Sequence, residues 1–305
     1  MIGFNKVLVS LMLLLLLVLI GCGVSVYLVH RGLPEVSSLE SCFVGTMNNV
    51  KVCHKGKSYV KLPEVSQVFL DALIVSEDAS FWHHDGFDWF EFKESLKINF
   101  LSGEYKRGAS TISQQLVKNS FLSPEKSLFR KLEEFLLTRE LESAFSKEFI
   151  LEKYLNIVEF GPDLFGLQEA TRYYFSKPPA QLNILESAYL VHLLPSPKRY
   201  SATFEKGELT DFSKRMILLI CKRLHFYKKV SDEDYEFAQS HIDRFPWYSL
   251  PKGPVYWETM GDLLGDDAED QLEESIEPSE LDSSMDQLDE IDAISPDSLE
   301  KRITF

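Results

Sequence analysis

Basic residues are what this sequence runs short of, and the shortage is local. Across 305 residues Lys and Arg number 32 against 47 Asp and Glu, a formal net charge of −15. Residues 258–300 hold 17 of those carboxylates and no Lys or Arg, so residues 1–257 carry 30 acidic and 30 basic residues. Such a chain lacks the basic surplus of a nucleic-acid binder, and nucleic acid is set aside as a partner. Cysteine is also scarce: there are four, with no spacing that suits a zinc site. Cys42 and Cys53 flank a short polar stretch, and the spacing leaves open whether they are bridged. Charge is absent altogether from Val7 to Val29, which includes "LMLLLLLVLI". A run of about 20 apolar residues spans a bilayer core, so residues 1–31 read as a transmembrane anchor. "LIGC", Leu19 to Cys22, keeps a cleaved lipoprotein signal as the alternative.

What is present divides into four parts: the anchor, a short β-rich neck at 32–60, a helical domain at 61–250, and an acidic tail at 251–305. The tail, "DDAEDQLEESIEPSELDSSMDQLDE" in its centre, has few aromatics and repels itself, which predicts disorder. It is either a solubilising tail or a docking segment for other proteins. In the neck, "FVGTMNNVKV" sets Asn48-Asn49 between short apolar runs, a hairpin signal. Beyond Pro63 the periodicity is helical almost throughout. "SPEKSLFRKLEEFLLTRELESAFS" predicts a helix capped at Ser123-Pro124 with an apolar stripe of Leu128, Leu132, Phe135 and Leu136. "SDEDYEFAQSHI" predicts a helix capped by Ser231.

Three stretches carry chemistry. "VSEDASFWHHDGFD", Val75 to Asp88, ends an apolar helix in Glu77 and Asp78, followed by Phe81 and Trp82. A carboxylate held against aromatics loses solvation, which favours its neutral form and suits proton transfer. His83 and His84 are adjacent, so on a helix they diverge and do not share a metal easily. "RGASTISQQLVKN", Arg107 to Asn119, leads a small-residue turn into a helix whose Thr111 and Gln114 have capping-box spacing. A helix start favours anions, and Gln114, Gln115, Lys118 and Asn119 follow it, a polar face costly to bury without a ligand. In "RKLEE", Arg130, Lys131 and Glu134 face one way at steps of three and four, which is also the pattern of an ordinary surface ion pair.

"EDASFWHHDGFD", "GASTISQQLVKN", "RKLEE" and "KEFILEKYLN" occur in this order, and with "GLQEATRYYFSKPPAQLNILESAYLVHLLPSP" they resemble the successive motifs of glycosyltransferase family 51. These are the peptidoglycan glycosyltransferases, found as modules of class A penicillin-binding proteins and as monofunctional enzymes. The resemblance covers about residues 63–200 and departs at Ala109 and Ser176, where the family has Gly, and at Ser113, where it has Thr. It implies a mainly α, lysozyme-like two-lobed fold whose smaller jaw rests on the membrane. "FDWFEFKESLKINFLSGEYKRG", with aromatics among lysines, suits such a jaw.

The activity implied is polymerisation of lipid II into glycan strands, with release of polyprenyl pyrophosphate, in the monofunctional form. Glu77 would be the general base and Glu134 the second catalytic glutamate. Ser110, Thr111, Gln115, Lys118, Lys126 and Arg130 would bind substrate. Asp78 and His84 would support the local fold. Partners implied are lipid II, the nascent strand, membrane lipid and other cell-wall synthesis proteins through the tail. The location implied is the inner membrane, single-pass, with the catalytic domain on the periplasmic side. No metal-ligand signature stands out, and a divalent cation, Mg or Mn, is the one cofactor left open. Two rivals share these residues: a lysozyme-like glycan-cleaving enzyme, and a non-catalytic membrane scaffold acting through the tail.

Overall fold

The computed structural model describes residues 2–103, 108–125 and 127–247. The acidic tail and Lys126 therefore lie outside the described residues. In chain order the helices are α1 (Ile2–Gly32), α2 (Gln67–Glu77), α3 (Trp89–Ser102), α4 (Ile112–Phe121), α5 (Leu128–Ala144), α6 (Lys147–Ile157), α7 (Leu167–Phe175), α8 (Ile184–Leu193), α9 (Pro197–Tyr200), α10 (Ala202–Lys206), α11 (Asp211–Phe226) and α12 (Asp232–His241). Beside them stand short 3-10 turns and two short antiparallel strand pairs: β1 (Phe43–Gly45) with β2 (Val50–Val52), and β3 (Glu159–Gly161) with β4 (Leu164–Phe165). The protein is mainly helical, and its chain crosses three times between two compact units.

The first unit comprises Met1–Gly56 and Asp85–Ile157. Its centre is α4, which packs against α5 and α6 through the fully buried Ile112, Leu116 and Val117. Leu137 and Leu141 of α5 and Ile150, Leu151 and Leu155 of α6 are buried around them. Each such side chain contributes about 1.5–3 kcal/mol on burial. Two expectations for α5 are corrected. Its N-cap is Ser127, whose hydroxyl accepts from the Arg130 N–H at 3.0 Å, not Ser123. Its core face includes Glu134, Leu137, Thr138 and Leu141, while Phe135 of the expected stripe is exposed. A face with two polar residues can be buried here because both are hydrogen-bonded, as described below.

On the same unit α3 leaves Trp89, Phe90, Phe92 and Phe100 exposed, the last at 85%. Ring contacts run from Phe135 to Phe87 at 4.8 Å, on to Trp89 at 5.6 Å and Phe92 at 6.0 Å. Helix α1 is 31 residues long and leucine-rich, with its described leucines exposed. Among the described residues, no helix is long and apolar enough to cross a membrane.

The second unit comprises Lys57–His84 and Val158–Phe305, described as far as residue 247. Every residue of α8 is buried, with α2, α11 and α12 packed against it. A helix apolar on all sides belongs at the centre of its unit. Its one carboxylate, Glu186, forms a capping box with Asn183 and receives Lys177 Nζ at 2.5 Å, so the buried charge is paired. The start of α2 is fixed by Ser66, whose N–H donates to Pro179 O at 3.1 Å and whose hydroxyl donates to Leu182 O at 3.0 Å. Ser231 caps α12 as expected.

Candidate active site

In the first unit the site is built on the N-terminus of α4. The expected capping box forms. Thr111 Oγ1 accepts from the Gln114 N–H at 3.2 Å, and the Gln114 side chain accepts from the Thr111 N–H at 3.1 Å. The Thr111 hydroxyl also donates to Gly86 O at 2.7 Å, which ties the "HHDGFD" loop to the helix start. Gly86 has φ +91, and a Cβ there would stand 2.7 Å from Thr138 Cγ2, so only glycine fits. Ala109 is not among the residues with positive φ, so the family's glycine is not needed at that position.

Glu134 sits beside this cap with its side chain 6% exposed. It accepts from Gln114 Nε2 at 3.2 Å and from Lys131 Nζ, and its carbonyl accepts from the Thr138 hydroxyl at 2.7 Å. The sequence placed Lys131 on this face but left it out of the site. The signal was the i,i+3 spacing to Glu134. Arg130 instead directs its guanidinium to the Ser123 and Pro124 carbonyls, at 3.2 and 3.3 Å, and fixes the segment before α5. Gln115 accepts from the hydroxyl of buried Tyr154 at 2.9 Å, which orients its amide. Ser110 and Lys118 are exposed. Ser113, which replaces the family's Thr, donates to Glu142, and Glu142 also receives Lys147 Nζ at 2.7 Å. Two hydrogen-bonded sets thus form, Thr111–Gln114–Glu134–Lys131 between α4 and α5 and Ser113–Glu142–Lys147 from α4 through α5 to the start of α6. The first presents a helix N-terminus, a buried carboxylate and an exposed lysine, features suited to anions and to developing charge.

Glu77 belongs to the second unit. It is the last residue of α2 and is half-buried. Asp78 caps the helix and is buried, with its two carboxylate oxygens 2.9 and 3.1 Å from His84 Nε2. Phe81, fully buried, meets the His84 ring edge-on at 6.2 Å and Trp82 at 5.0 Å. Asp78 and His84 therefore close the loop that follows Glu77, in the supporting role expected of them. The carboxylate of Glu77 stands at a helix C-terminus, where the dipole opposes negative charge by about 0.3–1 kcal/mol.

Cys42 and Cys53 are bridged. Among the described residues no group of three or more His, Cys, Asp or Glu side chains is placed to hold a metal ion.

A family model described as Transglycosylase matches residues 45–222, more than half of the chain. The chain is similar to the biosynthetic peptidoglycan transglycosylase of Aromatoleum aromaticum, 48% identical over 133 residues, which cover 44% of this chain and 58% of the relative. It is 42% identical over 144 residues to the protein of that name from Dechloromonas aromatica, covering 47% of this chain and 62% of the relative. To that from Acinetobacter baylyi it is 45% identical over 137 residues, covering 45% and 61%. The chain thus spans about three fifths of the length of these curated relatives.

Proposed function

The chain belongs to the transglycosylase family, and from that premise we propose that it is a peptidoglycan glycosyltransferase that polymerises lipid II into glycan strands. The observation that carries this reading is the hydrogen-bonded set of Thr111, Gln114, Glu134 and Lys131 at the start of α4, within the matched segment.

In the proposed reaction the 4-hydroxyl of the acceptor sugar attacks the anomeric carbon of the growing strand. The new C–O bond forms as the bond from that carbon to the lipid pyrophosphate breaks, with inversion. Glu77 takes the hydroxyl proton, and general-base catalysis of this kind contributes about 10²–10⁴-fold. The departing pyrophosphate keeps the electron pair of the broken C–O bond and gains one negative charge, and stabilising it falls to cations. Lys118 on α4 is one of these, with Lys126 and Arg130 as the others on the basis of motif position. Glu134 holds Lys131 and Gln114 in place and offers negative charge where the anomeric carbon becomes positive. Ser110, Thr111 and Gln115 bind substrate on the basis of motif position.

The membrane setting is part of the same reading. Helix α1 spans the bilayer, its 31 residues covering about 45 Å at 1.5 Å per residue. The exposed aromatics of α3 lie in the lipid interface, where such rings are favoured. The Cys42–Cys53 bridge supports a periplasmic, oxidising location for the domain. The acidic tail serves as the contact for other cell-wall synthesis proteins. The test is incubation of the purified full chain with lipid II in detergent. Glycan strands and one polyprenyl pyrophosphate per linkage are expected. Shortening of preformed strands without use of lipid II would assign the chain to glycan cleavage instead.

A further inference from the structure

The end of α4 away from its capping box raises a separate question. A helix leaves its last four carbonyls without partners inside the helix, here those of Lys118 to Phe121. The Leu122 N–H takes the first, at 3.4 Å. The next two are taken by the distant β1–β2 hairpin. Met47 N–H donates to Asn119 O at 3.3 Å, and Thr46 donates to Ser120 O through both its N–H and its hydroxyl, each at 3.1 Å.

The fit is close. A Cβ at Gly45 would stand 2.8 Å from Asn119 O and 2.7 Å from Ile157 Cδ1, so no larger residue permits this approach. The hairpin is held in register by its own covalent tie. Its paired residues are Phe43–Val52, Val44–Lys51 and Gly45–Val50, and Cys42–Cys53 is the next pair in that series. A fixed register keeps Thr46 opposite the helix end. Beyond β2, His54 Nδ1 lies 2.7 Å from Nζ of the fully buried Lys153, and His54 Nε2 lies 3.7 Å from Glu152. The hairpin is thereby pinned to α6 as well as to α4.

We propose that the disulfide-closed hairpin is a positioning element for the active site. In this role Thr46 is its positioning residue, and it acts through the last turn of α4, which carries Lys118. The inference rests on the reading of Lys118 as a contact to the departing pyrophosphate. Thr46 touches no substrate; it fixes where the lysine stands when charge develops.

The experiment is a double-mutant cycle on the full chain in detergent, read as lipid II polymerisation rate per folded protein. Thr46→Val keeps the side-chain shape and the backbone bond but removes the hydroxyl. It is expected to slow polymerisation about fivefold, the equivalent of one neutral hydrogen bond. Thr46→Ser restores the donor and is expected to restore the rate. In a Lys118→Ala background Thr46→Val is expected to cost less than about twofold further, because the two act as one unit. Should Thr46→Val disturb folding, Cys42→Ser with Cys53→Ser frees the register and is expected to show the same dependence on Lys118. A loss that multiplies fully with Lys118→Ala would mark the hairpin as a general stabiliser and overturn the inference alone. Wild-type polymerisation by Lys118→Ala would overturn the reading of Lys118 and this inference with it.

Discussion

Replacing Glu134 by Gln separates what the buried carboxylate does for folding from what it does for catalysis. The substitution keeps the size of the side chain and an oxygen that can accept from Gln114 Nε2, now at 3.2 Å. It removes the charge opposite Lys131, whose side chain is 59% exposed. Water screens a pair with one partner so exposed, and its contribution to stability is about 0–1 kcal/mol. Replacing a nearly buried carboxylate by an amide also relieves a desolvation cost, which works in the opposite direction. The net change in folding stability is therefore within about 1 kcal/mol, a few degrees in melting temperature for a domain of this size. Loss of an electrostatic stabiliser from a transition state costs about 10²–10³-fold in rate. Thermal unfolding and lipid II polymerisation measured on the same preparation test the separation. A polymerisation rate within about threefold of wild type would refute the catalytic role. Destabilisation beyond about 3 kcal/mol would show that Glu134 is chiefly a folding residue.

Gly86→Ala places a Cβ 2.7 Å from Thr138 Cγ2 at φ +91 and is expected to destabilise by about 2 kcal/mol or more, seen as a lower melting temperature. Adding Thr138→Ser should recover only the part due to the clash. Ser176 ends α7 at φ 53, a left-handed position, and Ser176→Gly is expected to raise stability by about 1 kcal/mol in thermal unfolding. His192 is buried, stacked on Tyr200 at 4.6 Å and 3.1 Å from Ser213 Oγ, and burial pushes its pKa down to about 4. Between that value and the ordinary 6.5 the unfolded chain binds a proton that the folded protein does not. Stability is therefore lost as pH falls through this window, by up to about 3 kcal/mol. His192→Phe should flatten that part of a denaturation-versus-pH curve.

The features legible in the sequence were those set by local chemistry. The capping box at Thr111 and Gln114, the Ser231 cap and the hairpin at Asn48-Asn49 all depend on residues within a few positions of one another. Asn49 adopts φ 55, as such a turn requires. The start of α5 was misplaced because two serines, Ser123 and Ser127, each offer a cap, and only the second has the Arg130 N–H within reach. The buried face of α5 was misread for a long-range reason. Glu134 looks like a surface residue until Gln114, twenty positions earlier, accounts for its hydrogen bond. The same limit hid the capping of α4 by Thr46, 74 positions from Ser120. Spacing alone could not decide the Cys42–Cys53 bridge, whereas the strand register makes them the next pair. Nor could periodicity show that Lys57–His84 joins the unit formed by the chain from Val158 on, because that grouping depends on α2 packing against α8.

In the proposed reaction this chain joins sugars with Glu77 as its base. The most direct test is polymerisation of purified lipid II by the full-length protein and by Glu77→Gln under identical conditions, with folding of both checked by circular dichroism. Glycan strands are expected from the wild type, with a loss of about 10²-fold or more in the variant. Equal rates from both proteins would contradict the assignment of the base, and a folded wild type that leaves lipid II untouched would contradict the activity itself.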